Sequence, residues 1–370
     1  MKKALLATSA LIAAGIIAAP AIAAEKKAAG PIDLKTKGYF HALGVHTSQD
    51  TTAGANLRNF MITEEAEISF SGSTTLDNGI KVGVDVQLEA ETCGDQIDEH
   101  YVWFKGSFGQ LVIGAENGAG NKSFRGSSVP ISGWVSSWTS NFRLYTIPGA
   151  NTAGQPFRAD ISGDSEKITY WSPKIAGGLV LGASYTWDSG EVASSYGGQE
   201  NDNDAGQQSD ILELGATYSG NTGKDGMSYN VSAAYIKGQL ELAAAGADDQ
   251  RVWALGADVS LNNWKIMAGY GNDNQATSAA DTDRIDWNVG VRYGAGKMSY
   301  GVEYSHTATE AGSGAGEDER DHLLAAASYA FGPGISFSVG IENVKFDDNA
   351  NVAANEGDAT SIILGTSLYF

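Results

Sequence analysis

The chain has 370 residues with 44 acidic side chains against 24 basic ones, a formal net charge of −20. That balance excludes phosphate-backbone binding, which needs lysine and arginine to displace counterions, so nucleic acid is not an expected partner. A single cysteine, Cys93, excludes an intrachain disulfide and carries no catalytic or metal signal, and no metal or cofactor is expected.

In chain order, "MKKALLATSALIAAGIIAAPAIAA" opens with Lys2 and Lys3, continues as an uncharged apolar run from Ala4 to Ala19, and ends on Pro20 and the small triplet Ala21-Ile22-Ala23. This is the pattern of a secretory signal peptide, residues 1–23, with cleavage expected after Ala23. A retained membrane helix would need about 20 apolar residues with anchoring flanks. Removing residues 1–23 takes away two lysines and no acid, which moves the net charge to −22. Beyond them no apolar run is long enough for a transmembrane helix. Glycine is abundant at 47 and proline scarce at 7, while Trp and Tyr number 8 and 15, a composition suited to many twisted strands.

Period-two alternation then carries the reading. In "IKVGVDVQL", Ile80, Val82, Val84, Val86 and Leu88 alternate with Lys81, Gly83, Asp85 and Gln87, one face apolar and the other charged or small. The pattern recurs from Leu179 to Trp187, Tyr229 to Tyr235, Trp264 to Tyr270, Ile285 to Tyr293, Met298 to Tyr304, Ile335 to Ile341 and Ile362 to Phe370. Aromatics cluster at the stripe ends and aliphatics in the middles, as in a lipid-facing wall with interfacial girdles. The two apolar faces of a sandwich would not need aromatics at both ends. Short turns such as "LDNG" (76–79), "GSFG" (106–109), "LNNW" (261–264) and "FGPG" (331–334) alternate with longer polar segments at 188–209, 241–250, 271–283, 307–320 and 347–358.

The expected fold is therefore all-β: one transmembrane antiparallel barrel of about sixteen strands occupying 24–370, wide enough to hold water. Leu368 and Phe370 are expected on the outer face of its last strand, against lipid or a neighbouring subunit.

Three stretches resemble the Gram-negative general diffusion porins. "AEISFSGSTTLDNGIKVGVDVQLE" (66–89) is similar to their first hairpin, "DEHYVWFKGSFGQLVIGAENG" (98–118) to the pair leading into the third loop, and "SEKITYWSPKIAGGLVLGASY" (165–185) to the pair after it. The resemblance implies an outer-membrane homotrimer among lipid and lipopolysaccharide, conducting small hydrophilic solutes. Its third loop, 117–165, would fold inward as a constriction. It also implies that Gly365, Leu368 and Phe370 in "GTSLYF" form a signal read by the outer-membrane assembly machinery. The Pro-Glu-Phe-Gly-Gly sequence of many enteric members is absent from 117–165.

Charges divide by location. The third loop carries Lys122, Arg125, Arg143 and Arg158 against Asp160 and Asp164, and its Phe124, Trp134, Trp138, Phe142 and Tyr145 could pack on the wall. Alternation assigns to the pore wall Glu67, Asp85, Glu89, Glu116, Glu213, Asp286 and Glu303, against Lys81 and Arg292. Opposite charges across a narrow aqueous gap set up a transverse field, here with the bases on the loop and the acids on the wall. Outer-loop acids such as Asp202, Asp204, Asp248 and Asp318 should enrich cations at the mouth. A weakly cation-preferring channel is the expected function, with a substrate-specific channel or a structural barrel as alternatives. Catalysis is not expected: His41, His46, His100, His306 and His322 are the only imidazoles, and no Gly-x-Ser-x-Gly elbow accompanies them.

Overall fold

The computed structural model describes residues 30–50, 56–91, 96–137, 142–154, 157–190, 207–223, 226–242, 247–276, 283–310 and 316–370. Expectations for residues 1–23, Cys93, Trp138, Asp202, Asp204 and the side chain of Trp134 lie outside that set.

Among the described residues sixteen strands follow one another in sequence: β1 (Leu34–Gln49), β2 (Phe60–Thr75), β3 (Lys81–Glu89), β4 (His100–Gly106), β5 (Gly109–Ala115), β6 (Glu166–Trp171), β7 (Leu179–Asp188) and β8 (Gln208–Asn221). They continue as β9 (Ser228–Leu240), β10 (Gln250–Leu261), β11 (Trp264–Asp273), β12 (Arg284–Ala295), β13 (Met298–Glu310), β14 (Glu317–Gly332), β15 (Ile335–Asp347) and β16 (Gly357–Tyr369). Each pairs antiparallel with the next, and β16 closes on β1 in a register running from Tyr39↔Tyr369 to Gln49↔Ala359. Closure leaves no free sheet edge, which is what allows strands to cross a membrane.

Burial alternates in the opposite sense to that of a water-soluble sheet. Leu364 is 60 % exposed on the outer face, whereas Glu303 on the inner face is 1 % exposed. Val289, Val291, Val302, Val339 and Ile341 likewise stand outward and bare. An outer wall of aliphatics makes sense only against hydrocarbon or another subunit. This inversion removes the sandwich alternative.

The short turns fall where the pattern puts them. Left-handed backbone at Asn262 (φ 52°) closes "LNNW", a conformation that asparagine tolerates. At the other end the segments between strands are shorter than the polar stretches suggest. β13 and β14 pair up to Glu310↔Glu317, so 307–310 and 317–320 are ladder rather than loop. Ladder hydrogen bonds satisfy the backbone whatever the side chains, and polar rims continue strands beyond the apolar band. Asp318 is corrected accordingly: it lies in β14 and is 4 % exposed.

The terminal residue belongs to the sheet. Phe370 N donates to the Gly38 carbonyl at 3.0 Å and Gly38 N donates back at 2.8 Å. The Phe370 ring covers Gly38, where a methyl group would come within 2.9 Å of it.

Candidate functional site

The long segment between β5 and β6 lies against the inner face of the barrel. Its start is the helix α1 (Ala119–Ser123), tied down by Ala119 N to Ser184 Oγ (2.7 Å) and Gly120 N to Glu213 Oε2 (2.9 Å). An outbound arm then crosses the wall: Ser127 N donates to Asn288 Oδ1 (2.7 Å), Ser132 N to Ser338 Oγ (3.0 Å) and Ser137 N to Glu303. A return arm comes back past β1, where Thr47 Oγ1 donates to the Leu144 carbonyl (2.9 Å), and past β14, where Thr152 N and Oγ1 both donate to Asp318 Oδ2 (2.7 Å). Near its end Ser162 Oγ donates to Glu213 Oε1 (2.6 Å). One carboxylate, Glu213, thus holds both ends of the segment.

Apolar contacts support these bonds. Val129, Val135 and Leu144 pack with Leu43, Val45, Leu324 and Ile363 of the wall. Phe157 and Ala159 pack with Ile211, Ile236, Val252 and Ala254, and Phe124 meets Phe157 edge to face at 5.7 Å. Tyr145 contacts Phe346 and His322. The segment is consequently packed on the wall rather than suspended in the barrel interior. Arg320, 1 % exposed, joins the two arms by donating to the carbonyls of Ser137 (3.4 Å) and Gly154 (3.5 Å) and to the Tyr145 hydroxyl (3.4 Å).

Close approach is made possible by glycines on the inner face. A methyl at Gly290 would sit 2.8 Å from Ser127 Cβ, one at Gly301 2.6 Å from Pro130 Cδ, and one at Gly365 2.7 Å from Ser132 Cβ. Added methyls at Gly215, Gly256 and Gly271 would meet Ser123, the Arg125 carbonyl and the Phe157 ring more closely still. Glycine in a strand interior forgoes packing, and where it occurs another chain segment often lies on it.

Open space remains on the side that the segment does not cover. A cavity of about 590 Å³ lies between β1–β3, the residues just before β4, and the segment. Tyr39, Glu65, Glu67, Gln87, Glu89, Asp98 and Glu99 line it from the wall; Asn117, Asn121, Arg158, Asp160 and Asp164 line it from the segment. Tyr39 donates to Glu65 (2.9 Å) and Glu67 (3.1 Å), so the wall carboxylates are held in place.

The residues singled out from sequence divide into three groups. Glu67, Glu89, Arg158, Asp160 and Asp164 line the cavity. Glu116, Glu213, Asp286 and Glu303 face inward as alternation requires but are buried as anchors: Glu116 pairs with Lys122, Asp286 with Arg284, and the other two hold the segment. Lys122 also lies over the Tyr101 ring (5.7 Å), and burial pushes its ammonium below the usual lysine range. The third group sits on the inner face beyond the cavity lining. Asp85 is 3.7 Å from Lys37, Lys81 lies over Trp103, and Arg292 donates to Ser128 Oγ (3.4 Å). Arg125 and Arg143 are exposed, with Arg125 donating to the carbonyls of Lys122 and Phe124.

Sequence reading missed Tyr39, Glu65, Asp98, Glu99 and Arg320. Glu65 shares its strand face with Glu67, and Arg320 alternates with His322 opposite an outward Leu323, so period two carried both. Asp98 and Glu99 precede β4 and had no such signal. On the segment side of the cavity Asp164 is strongly shifted: burial first, then the charges of Asp98, Glu99 and Asp160, raise its carboxyl to about 7, with Lys167 opposing.

A family profile described as Gram-negative porin matches residues 7–349. A search of curated protein sequences finds no match. Among solved structures, an anion-selective porin from Comamonas acidovorans superposes with a TM-score of 0.66 at 14 % identity, covering 92 % of this chain and 100 % of that one. A loop L8 deletion variant of OmpT, an outer membrane protein of Vibrio cholerae, gives 0.61 at 11 % identity over 93 % and 100 %. OmpF of Salmonella typhi, solved with daunomycin, gives 0.60 at 18 % identity over 92 % and 97 %. Identities this low speak for the fold alone.

Proposed function

The chain belongs to the Gram-negative porin family, and on that premise we propose that it is a weakly cation-preferring diffusion channel for small hydrophilic solutes. It reaches the outer membrane after loss of residues 1–23, residues 24–370 form the barrel, and residues 117–165 form the constriction. The observation that carries this reading is the cavity beside the segment, where Glu65, Glu67, Glu89, Asp98 and Glu99 face Arg158.

Carboxylates on one side and a guanidinium on the other order the water between them. A polar solute can replace that order and an apolar one cannot, so passage favours hydrophilic solutes. The excess of acid raises the local concentration of cations, with screening beyond about 8 Å at physiological salt. Tyr145 offers little support for a dedicated sugar channel, because it is buried against Phe346 and His322. Reversal potentials of the purified protein in a planar bilayer under a potassium chloride gradient test the proposal. Open steps with a modest cation preference are expected, and anion preference or no conductance would overturn it.

A further inference from the structure

Seven inward glycines on seven strands, β8, β10, β11, β12, β13, β15 (Gly340, against Ile131) and β16, each have an atom of the inward segment as the nearest one in the space that a side chain would fill. Every one stands on the inner face, and on several of these strands neighbouring positions carry the charged and hydroxylic groups that anchor the segment. Glu213 lies two residues before Gly215, Asn288 two before Gly290, and Glu303 two after Gly301. Hydrogen bonds draw the segment outward to the wall, and the glycines decide how far it can go.

We propose that these glycines are positioning residues that set the width of the conducting passage, by letting the segment lie directly on one wall and so away from the acidic wall opposite. The inference rests on the reading of the cavity as the conducting path. Close-packed interiors transmit displacement rather than absorb it. At Gly256 the obstructing atom is a backbone carbonyl, that of Arg125, which no rotamer change can move aside. A methyl there must push the arm that carries Phe124 and Arg125 toward Glu65 and Glu89.

Gly256→Ala is the principal test. Single-channel conductance is expected to fall about twofold, with cation preference rising because the narrowed gap lies closer to the wall acids. Gly44→Ala is the control: it faces outward, its nearest neighbour being the Phe60 ring at 3.7 Å, and it should leave both readings unchanged. Gly290→Ala supplies a second test with a built-in rescue, because Ser127→Gly removes the obstructing Cβ and should restore conductance to the Gly290→Ala barrel. That pair decides the matter if Gly256→Ala does not assemble.

Spin labels on Glu89→Cys and Arg125→Cys in a Cys93→Ser background measure the gap itself. With Gly256→Ala added, the label distance should shorten. A shortened distance with unchanged conductance would mean that ions travel elsewhere, overturning the functional reading and this inference together. An unchanged distance and unchanged conductance, or a Gly290→Ala defect that Ser127→Gly fails to rescue, would overturn the inference alone.

Discussion

Asp164 lines the cavity with Asp98, Glu99 and Asp160 around it and Lys167 and Lys122 as nearby bases, and its carboxyl is raised to about 7. Below that pH it is neutral and above it negative, so ionisation adds one acid to a passage that already holds an excess. The cation-to-anion permeability ratio should therefore rise as pH increases from about 6 to 8. Asp164→Asn should make that rise smaller and move what remains of it to higher pH. Reversal potentials across that range check it, and a wild-type ratio that falls with rising pH would show that Asp164 is remote from the ion path. Sequence could place Asp164 in the loop but could not reveal this titration. Its shift arises from burial and from residues 98 and 99, which only the closed barrel brings alongside.

The inward segment and the strands beneath it differ in how legible they are. Strands were readable because each outer face meets one uniform environment, which imposes a period of two along the length of the strand. Val289, Val291 and Tyr293, or Ile362, Leu364 and Leu368, declare themselves locally. The path of the segment rests on pairs such as Ser127 with Asn288 and Ser132 with Ser338, separated by 161 and 206 residues, and no local pattern encodes such distant partners. The same limit explains the three arginines. Composition made Arg125, Arg143 and Arg158 equivalent, whereas only Arg158 of the three lines the cavity. Replacing all three with alanine should raise conductance and cation preference, and Arg158→Ala alone should give most of the effect. A unit charge at about 4 Å is worth about 1 kcal/mol in water and more in a confined pore, enough for a severalfold change in permeability ratio. Equal effects from the three single variants would show that the field acts along the whole segment.

The last strand is where an element depends on one residue. Phe370 contributes two backbone bonds to β1 and the ring that covers Gly38, so deleting it should weaken barrel closure and remove the signal that the family resemblance implies. Surface-labelled outer-membrane levels should drop sharply, with protein accumulating in the periplasm or degraded. Normal levels would make the terminal aromatic incidental. Gly365 has a separate reason to be small, since Ser132 and Leu43 occupy the space beside it. Its place in "GTSLYF" therefore reflects packing in the interior, whatever else reads the motif.

At the scale of the whole molecule the wall is uneven in height. β1, β2 and β14 have 16 residues each, while β4 and β5 have 7 and β6 has 6. A tilted strand needs about 9–11 residues to cross the hydrocarbon layer, so β4–β6 are too short to face lipid alone. Their outer face carries a row of apolar, mostly β-branched side chains in register, Val84 beside Val102 and Ile113 beside Ile168. We propose that this low apolar stretch of wall is covered by a second copy, in the closed ring of three that the family resemblance implies. Mild-detergent electrophoresis should show a species near three times the monomer mass that converts to monomer on heating. Ile113→Trp, which places a bulky group on the low wall, should lower the temperature of that conversion. Val302→Trp, on the tall wall at β13, should leave it unchanged, because an extra aromatic there meets only fluid lipid. A monomer under the mildest conditions would rule out the ring, and equal sensitivity of the two variants would move the subunit contact away from β4–β6.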